Sequence, residues 1–106
     1  MAAYSSIGPT FDGRLKPEVV GLGKTFTAYA KSNTSYAVVE GTSMAAPLVA
    51  GLAALILEAR PDLTVYQMRE ILIKTASNAN DPNNHFGWGL IDSVKGFYSI
   101  FFELTM

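Results

Sequence analysis

The sequence predicts an α/β fold, and three observations support this. Short runs that favour β-structure lie within the first 40 residues, a long apolar stretch of helical length follows, and two amphipathic segments with helical spacing occupy the last third. With 106 residues the chain is long enough for one domain at most. No internal repeat or linker interrupts it, so residues 1–106 are treated as one segment.

Three short segments are predicted to be strands. Val19 and Val20, between Pro17 and two glycines, are typical of a buried strand of about four residues. Residues 25–30 alternate weakly and contain aromatic side chains, and residues 36–39 form another run that favours β-structure. These segments indicate part of a sheet and not a complete one.

Residues 44–57 are predicted to form the central helix. They read MAAPLVAGLAALIL and are apolar on every side, and Pro61 prevents the helix from continuing far beyond them. This pattern predicts a helix that is buried all round. Its fourteen residues are fewer than the roughly 17 to 25 that span a bilayer, so no membrane-spanning helix is expected.

Two amphipathic helices are predicted after the apolar one. Thr64 and Gln67 have the spacing of a capping box, and Leu63 before them can form a hydrophobic staple, so a helix should run from here to about residue 75. Asp92 can cap a last helix. The residues expected to face inward in these two helices are Val65, Met68, Ile71, Leu72, Val94, Phe97, Ile100 and Phe101.

Composition excludes several kinds of partner and bond. Eight Lys and Arg residues stand against nine Asp and Glu residues, so neither a nucleic acid nor an anionic membrane is an expected partner. Cysteine is absent, which rules out disulfides and cysteine-ligated metals. The first ten residues contain no basic leader followed by an apolar run, so no signal peptide is expected.

The predicted apolar helix needs cover on every side. Two amphipathic helices and a few short strands supply only about half of that cover. We therefore expect the chain either to be a fragment of a larger domain or to self-associate.

The serine in the segment Gly41-Thr-Ser-Met-Ala-Ala-Pro47 has two interpretations. Thr42 or Ser43 can serve as an N-cap, the commonest role of such residues at a helix start. Alternatively, Ser43 is a nucleophile whose own backbone N–H helps to hold an oxyanion, because a helix start leaves such groups unpaired. In a helix that begins at Ser43, Pro47 cannot donate to the Ser43 carbonyl, which loosens the first turn. Spacing alone leaves both interpretations open.

Five stretches, in the same order along the chain, resemble the sequence pattern of subtilisin-like serine peptidases. They are Tyr4-Ser-Ser-Ile-Gly-Pro9, Lys16-Pro-Glu-Val-Val20 with Gly23, Gly41-Thr-Ser-Met-Ala-Ala-Pro47 with Val49-Ala-Gly51, Arg60-Pro-Asp-Leu-Thr64, and Gly87-Trp-Gly-Leu-Ile-Asp92. The likeness covers residues 3–97, nearly the whole chain. It implies the C-terminal portion of a three-layer α/β fold with a mainly parallel sheet and a buried central helix, so that residues 1–106 form a partial peptidase domain.

The resemblance also implies a reaction, peptide-bond hydrolysis through an acyl-enzyme on Ser43. The Ser43 backbone N–H would be one oxyanion donor, and Gly41, Thr42 and Met44 would be its active-site neighbours. In this family the catalytic Asp, the catalytic His and the oxyanion-hole Asn precede the serine, and no residues that match them precede Ser43 here. The chain therefore resembles part of a serine endopeptidase and is expected to be inactive alone.

The same resemblance implies partners and a location. A peptide or protein is the expected substrate, and the upstream part of the same domain, or a second copy of the chain, is the expected protein partner. No cofactor or metal site is assigned to this segment, although calcium is common in complete enzymes of this kind. The family also favours a secreted or extracellular location.

Five positions depart from the family pattern without removing a catalytic group. Ile7 stands where many members have Arg, and Glu18 replaces Asp. The pair Gly21-Leu22 replaces Ala-Pro, which loosens a turn that proline normally stiffens, and Leu48 replaces His. His85, the only histidine, follows the serine in a polar loop and is interpreted as a surface residue.

Two alternative functions fit parts of the sequence. Residues 41–45 approximate the G-x-S-x-G elbow of α/β-hydrolases, although Ala45 stands at the second glycine. In that esterase, Asp62 or Asp81 with His85 would complete the triad. The other alternative is a subtilisin-like scaffold without catalysis that serves in binding or assembly.

Overall fold

The strands precede the helices along the chain. The computed structural model describes residues 1–101. Two strands, β1 (Lys24–Ala28) and β2 (Tyr36–Glu40), are followed by helices α1 (Thr42–Ala59), α2 (Val65–Lys74) and α3 (Ser93–Tyr98), with a 3₁₀ turn at Ser99–Phe101. This combination of strands and helices confirms the α/β prediction.

β1 and β2 form an antiparallel hairpin. Phe26 lies opposite Val38, and Lys24 lies opposite Glu40 at the end where the chain leaves for α1. On the exposed face the rings of Phe26 and Tyr36 stack, with centroids 5.5 Å apart, as diagonal neighbours of an antiparallel pair can. The paired strands therefore hold the end of β2 in place immediately before the helix begins.

The mainly parallel sheet of the expected fold is not formed within residues 1–101. The parallel pairing found there is a single bridge between Val20 and Leu90. The Val20 N–H donates to the Gly89 carbonyl over 3.0 Å, and the Ile91 N–H donates to the Val20 carbonyl over 3.1 Å. The predicted strand at Val19 and Val20 is thus wrong in extent, because within residues 1–101 the pairing of this run is limited to Val20 and Leu90. The larger parallel sheet stays a prediction.

α1 is buried along one face, which corrects the expectation of a helix buried all round. Leu52 and Ile56 pack with Ile71 of α2 and with Ile100 to form the core. α3 lies against this same face of α1, and a Cβ added at Gly96 would be in ordinary van der Waals contact with Leu52 Cδ2, 3.7 Å away. Large apolar residues on the other faces of α1 remain exposed, namely Leu48, Leu55 and Leu57.

α1 is longer than the apolar run on which the expectation of no membrane-spanning helix was based. The helix has 18 residues, because Thr42, Ser43, Glu58 and Ala59 extend the fourteen-residue apolar run. By length and composition it is long and apolar enough to cross a bilayer, with a mean hydropathy of 1.6. The core helix of a soluble domain passes the same test.

α2 begins at the predicted capping box. The Gln67 N–H donates to Thr64 Oγ1 over 3.1 Å, and the Thr64 N–H donates to Gln67 Oε1 over 2.9 Å. Leu63 and Met68, the expected hydrophobic staple, both pack against the core cluster. Local sequence therefore determines where this helix starts, and the tight start places Ile71 in the core.

Replacing Thr64 with alanine is expected to lower the free energy of unfolding by about 1 kcal/mol, because the Gln67 N–H loses its acceptor. Urea unfolding of the chain, followed by circular dichroism, measures this loss. The matched control is Val65→Ala, which shortens an adjacent side chain that is 89% exposed and should change stability by less than about 0.5 kcal/mol. Equal stabilities of the two variants would contradict the role of the cap.

Three residues that were expected to face inward are exposed. Val65 shares a helix face with Leu72 but lies two turns earlier, beyond the covered surface, and is 89% exposed. Val94 and Phe101 are 65% and 63% exposed. α3 buries Gly96 instead of Val94, because its Gly96 side is the one that lies against Leu52 and Ile56 of α1.

The loop after α2 fastens the segment that carries Glu18 to the helical layer. The Trp88 N–H donates to the Glu18 carbonyl over 2.8 Å, and the Arg69 guanidinium lies 5.5 Å from the centroid of the Trp88 ring. Burial acts to raise the pKa of the Glu18 carboxyl. The hydrogen bond from the Lys16 ammonium, a backbone hydrogen bond and the positive charges of Lys16 and Arg69 together outweigh burial, so this pKa lies below its ordinary value. The segment that carries Glu18 is thereby held beside α2.

Candidate active site

Ser43 is the second residue of α1. The N-cap position is occupied by Gly41, which has φ 146° and ψ 166° and no side chain to cap the helix. The interpretation of Thr42 or Ser43 as the N-cap is therefore wrong. The Met44 and Ala45 N–H groups both donate to the Gly41 carbonyl, over 3.0 Å and 3.3 Å. Pro47 lies inside the helix, as expected from the motif, so the Ser43 carbonyl receives no bond from it.

The Ser43 hydroxyl and backbone N–H are both available to a ligand. The side chain is exposed, and Oγ makes no hydrogen bond within residues 1–101. No backbone carbonyl in the same range accepts from the Ser43 N–H, as expected for the first turn of a helix, where the partial positive charge of the helix end is also concentrated. A hydroxyl and an unpaired N–H on one residue suit nucleophilic attack with stabilisation of the resulting oxyanion.

Gly41 leaves open space next to these two groups. A Cβ added at Gly41 would lie 3.4 Å from Ser43 Oγ and 3.9 Å from Ser43 N. Its positive φ also lies in a region that residues with a side chain rarely adopt. Glycine at this position therefore satisfies a backbone requirement and keeps the approach to the hydroxyl free.

The other predicted neighbours adjoin Ser43 along the helix. Thr42 is exposed and Met44 is half-buried. Thr42 lines a cavity of about 400 Å³ together with Ala45 and Val49 of α1, and residues 19–23 also line it. Ser43 is not among the lining residues, so the hydroxyl lies outside this cavity.

The residues of the alternative esterase triad are not joined to Ser43. His85 is exposed, and its backbone N–H donates to Asn83 Oδ1 over 2.9 Å. Asp62 accepts from Arg60 Nε over 3.2 Å, and this hydrogen bond lowers the pKa of the Asp62 carboxyl. In the part of the chain that the structure describes, no hydrogen bond connects an imidazole or a carboxylate with Ser43 Oγ. The serine therefore lacks a general base among these residues.

Metal ligands are also sparse in the described part of the chain. Residues 1–101 contain no group of three or more His, Cys, Asp or Glu side chains placed to hold a metal ion. The arrangement around Ser43 accordingly offers a hydroxyl, backbone N–H groups and open space as its chemical resources.

The hydrogen bond that holds Gly41, the residue before α1, is not predicted by the sequence analysis. The Gly41 N–H donates to the Gly23 carbonyl over 2.7 Å, which extends the hairpin ladder by one bond beyond the Lys24–Glu40 pair. Two glycines spaced two residues apart, at Gly21 and Gly23, were the available signal. In the sequence analysis, Gly21-Leu22 is interpreted as a loosened turn and the two glycines as the end of a strand, whereas in the structure Gly21 lies against the Ala45 backbone and Gly23 is bonded to Gly41.

Nearly the whole chain is similar in sequence to known serine proteases. The sequence model of the subtilase family matches residues 1–89. Serine protease AprX of Bacillus subtilis is 33% identical over 107 residues, which covers 88% of this chain and 24% of that protein. Subtilisin DY of Bacillus licheniformis is 42% identical over 91 residues, which covers 86% of this chain and 30% of that protein.

Solved structures give the same answer for the fold. The Clostridium perfringens CspB protease superposes with a TM-score of 0.77 at 24% identity, over 92% of this chain and 23% of that one. MycP1 from Mycobacterium smegmatis superposes with a TM-score of 0.57 at 32% identity, over 70% of this chain and 19% of that one. The chain thus spans less than a third of the length of these relatives.

Proposed function

Because this chain belongs to the subtilase family of serine proteases, we propose that it is the nucleophile-bearing part of a subtilisin-type endopeptidase. The observation that carries the proposal is the exposed Ser43 hydroxyl beside an unpaired backbone N–H at the start of α1. Gly41 leaves room for a substrate carbonyl at the same place. The substrate is a peptide or protein, and no cofactor takes part in the reaction.

The proposed reaction has two halves. Ser43 Oγ attacks the scissile carbonyl carbon, its proton passes to a general base, and the Ser43 N–H donates to the oxyanion. The C–N bond then breaks, and the leaving amine takes the proton from the base. Water attacks the resulting ester in the second half, which releases the acid product and restores the hydroxyl.

The proposal requires groups from outside residues 1–101. No imidazole in that range hydrogen-bonds to Ser43 Oγ, and without a base the hydroxyl stays protonated at neutral pH. The base, its orienting acid and a second oxyanion donor would come from the upstream part of the peptidase domain. We therefore propose that this chain alone has no peptidase activity.

The exposed face of α1 supports the need for a protein partner. Leu48, Leu55 and Leu57 are between 41% and 54% exposed, and the upstream part of the domain, or a second copy of the chain, would cover them. We place the complete enzyme outside the cell, and kinship with the bacterial subtilisins is the support for that location.

The test is labelling by a fluorophosphonate, which forms an adduct with activated serines and is read out by intact mass. The chain is treated alone and after mixing with the upstream part of its peptidase domain. An adduct on Ser43 in the mixture, and none on the isolated chain, is the expected result.

Two other outcomes would contradict the proposal. An absence of adduct in a mixture that forms a stable complex would favour a scaffold that serves in binding or assembly. An adduct on the isolated chain would favour an activated serine of the esterase type, with His85 as the residue to replace next. A heat-denatured mixture controls for reaction with unactivated hydroxyls.

A further inference from the structure

The short run around Val20 is paired along one edge only. The Glu18 carbonyl accepts from the Trp88 N–H over 2.8 Å. Val20 uses both of its backbone groups, its N–H toward the Gly89 carbonyl over 3.0 Å and its carbonyl toward the Ile91 N–H over 3.1 Å. Alternate residues of the run therefore bond to the same neighbour, the segment that follows α2.

Val19 and Gly21, on either side of Val20, have no partner for their backbone groups. Within residues 1–101, neither their N–H groups nor their carbonyls form a hydrogen bond. Successive residues of a strand direct these groups to opposite edges, so those of Val19 and Gly21 point away from the segment that pairs with Val20. An open edge of this kind is a template for pairing with a further strand.

The open edge borders the cavity beside the start of α1. Residues 19–23 line this cavity of about 400 Å³ together with Ala45, Val49 and Phe86, and most of its lining side chains are apolar. Ser43 does not line it, so a segment bound there would leave the hydroxyl free for substrate. An apolar space next to unpaired backbone groups suits a buried strand.

We propose that this edge is the docking site for a β-strand from the upstream part of the peptidase domain, which bonds to the backbone of Val19 and Gly21. The proposal rests on the proposed function, which takes its general base from the same upstream part. The chain spans less than a third of the length of its relatives, so most of such a domain lies outside it. β1 and β2 pair with each other, and neither of them fills the edge. The predicted parallel sheet would continue from here.

The first test is amide hydrogen exchange, measured residue by residue on the chain alone and in complex with the upstream part. In the chain alone, the N–H groups of Val19 and Gly21 should exchange as unbonded amides do. In the complex, each gains an acceptor, and its exchange should slow about 100-fold or more, to the level of the Val20 N–H. A stable complex in which Val20 exchanges slowly while Val19 and Gly21 stay fast would overturn the inference.

The second test places a charge in the cavity. Leu22 lines it and is 64% exposed in the chain alone. Leu22→Asp should weaken binding of the upstream part by at least about tenfold, because the carboxylate would lose water when the strand docks. The matched control is Val94→Asp, at a residue that is 65% exposed and does not line the cavity, and it should change affinity by less than about twofold. Calorimetric titration measures both, and equal affinities of the two variants would contradict the proposal.

Two further outcomes would also overturn the inference. One is failure of the chain and the upstream part to bind each other. The other is protection of Val19 and Gly21 that develops in the chain alone as its concentration rises, which would assign the edge to a second copy. Labelling of Ser43 is a separate measurement. A complex that is protected at this edge but not labelled would support the docking site and contradict the proposed function.

Discussion

Replacing Ser43 with alanine is expected to abolish labelling and peptide hydrolysis in the reassembled enzyme, with a loss of about 10⁶-fold in turnover, which is the magnitude measured for loss of the nucleophile in subtilisin itself. The reason is that the attacking oxygen is removed. Folding should be nearly unaffected, since the side chain is exposed and its Oγ makes no hydrogen bond within residues 1–101. Intact mass, peptide cleavage and urea unfolding measure the three quantities.

The control for Ser43→Ala is Ser35→Ala, the same chemical change at an exposed serine between the two strands. It should retain full labelling. Turnover that survives in Ser43→Ala, or an adduct that maps to another serine, would remove Ser43 from the role of nucleophile.

Replacing Gly41 with alanine is expected to reduce the labelling rate in the complex on the order of 100-fold. Alanine is strained at φ 146°, so the backbone immediately before Ser43 has to move, and misplacement of a reacting group by about 1 Å typically has an effect of this size. The new Cβ would also touch Ser43 Oγ, 3.4 Å away. Alanine at φ 146° also carries backbone strain of about 1 to 3 kcal/mol. Labelling kinetics and urea unfolding separate the two effects.

Gly13→Ala provides the matched control for Gly41→Ala. Gly13 also has a positive φ, of 85°, but nothing lies within 4 Å of an added Cβ. This variant should therefore lose stability by a similar amount and keep the labelling rate of the unsubstituted chain. An equal fall in labelling in both variants would assign the effect of Gly41→Ala to general destabilisation.

Features determined by neighbouring residues could be predicted from the sequence. The capping box between Thr64 and Gln67 forms as expected, and Asp92 caps α3 through the Lys95 N–H. Both depend on contacts three residues apart, which the sequence displays directly. Which faces of the helices are covered depends on distant elements, and this explains why Val65 was wrongly expected to face inward.

The candidate site likewise combines features that the sequence predicts with features that depend on residues distant in sequence. Ser43 and its neighbours were found through the resemblance of residues 41–47 to a family motif, and the family itself is confirmed. The N-cap was misassigned, because Gly41, which has no side chain, occupies that position, and its N–H is bonded to the distant Gly23 carbonyl. The approach of Gly21 to Ala45 joins residues far apart in sequence, and periodicity carries no record of such a contact.

α1 joins the chemistry and the core in one continuous helix. Ser43 begins the helix and Leu52 and Ile56 lie in the core, so at 1.5 Å per residue the hydroxyl stands about 14 Å along the axis from the first of these. A helix of this length transmits a tilt at one end as a displacement at the other. The packing of aliphatic side chains in the interior therefore helps to determine the position of an oxygen atom at the surface.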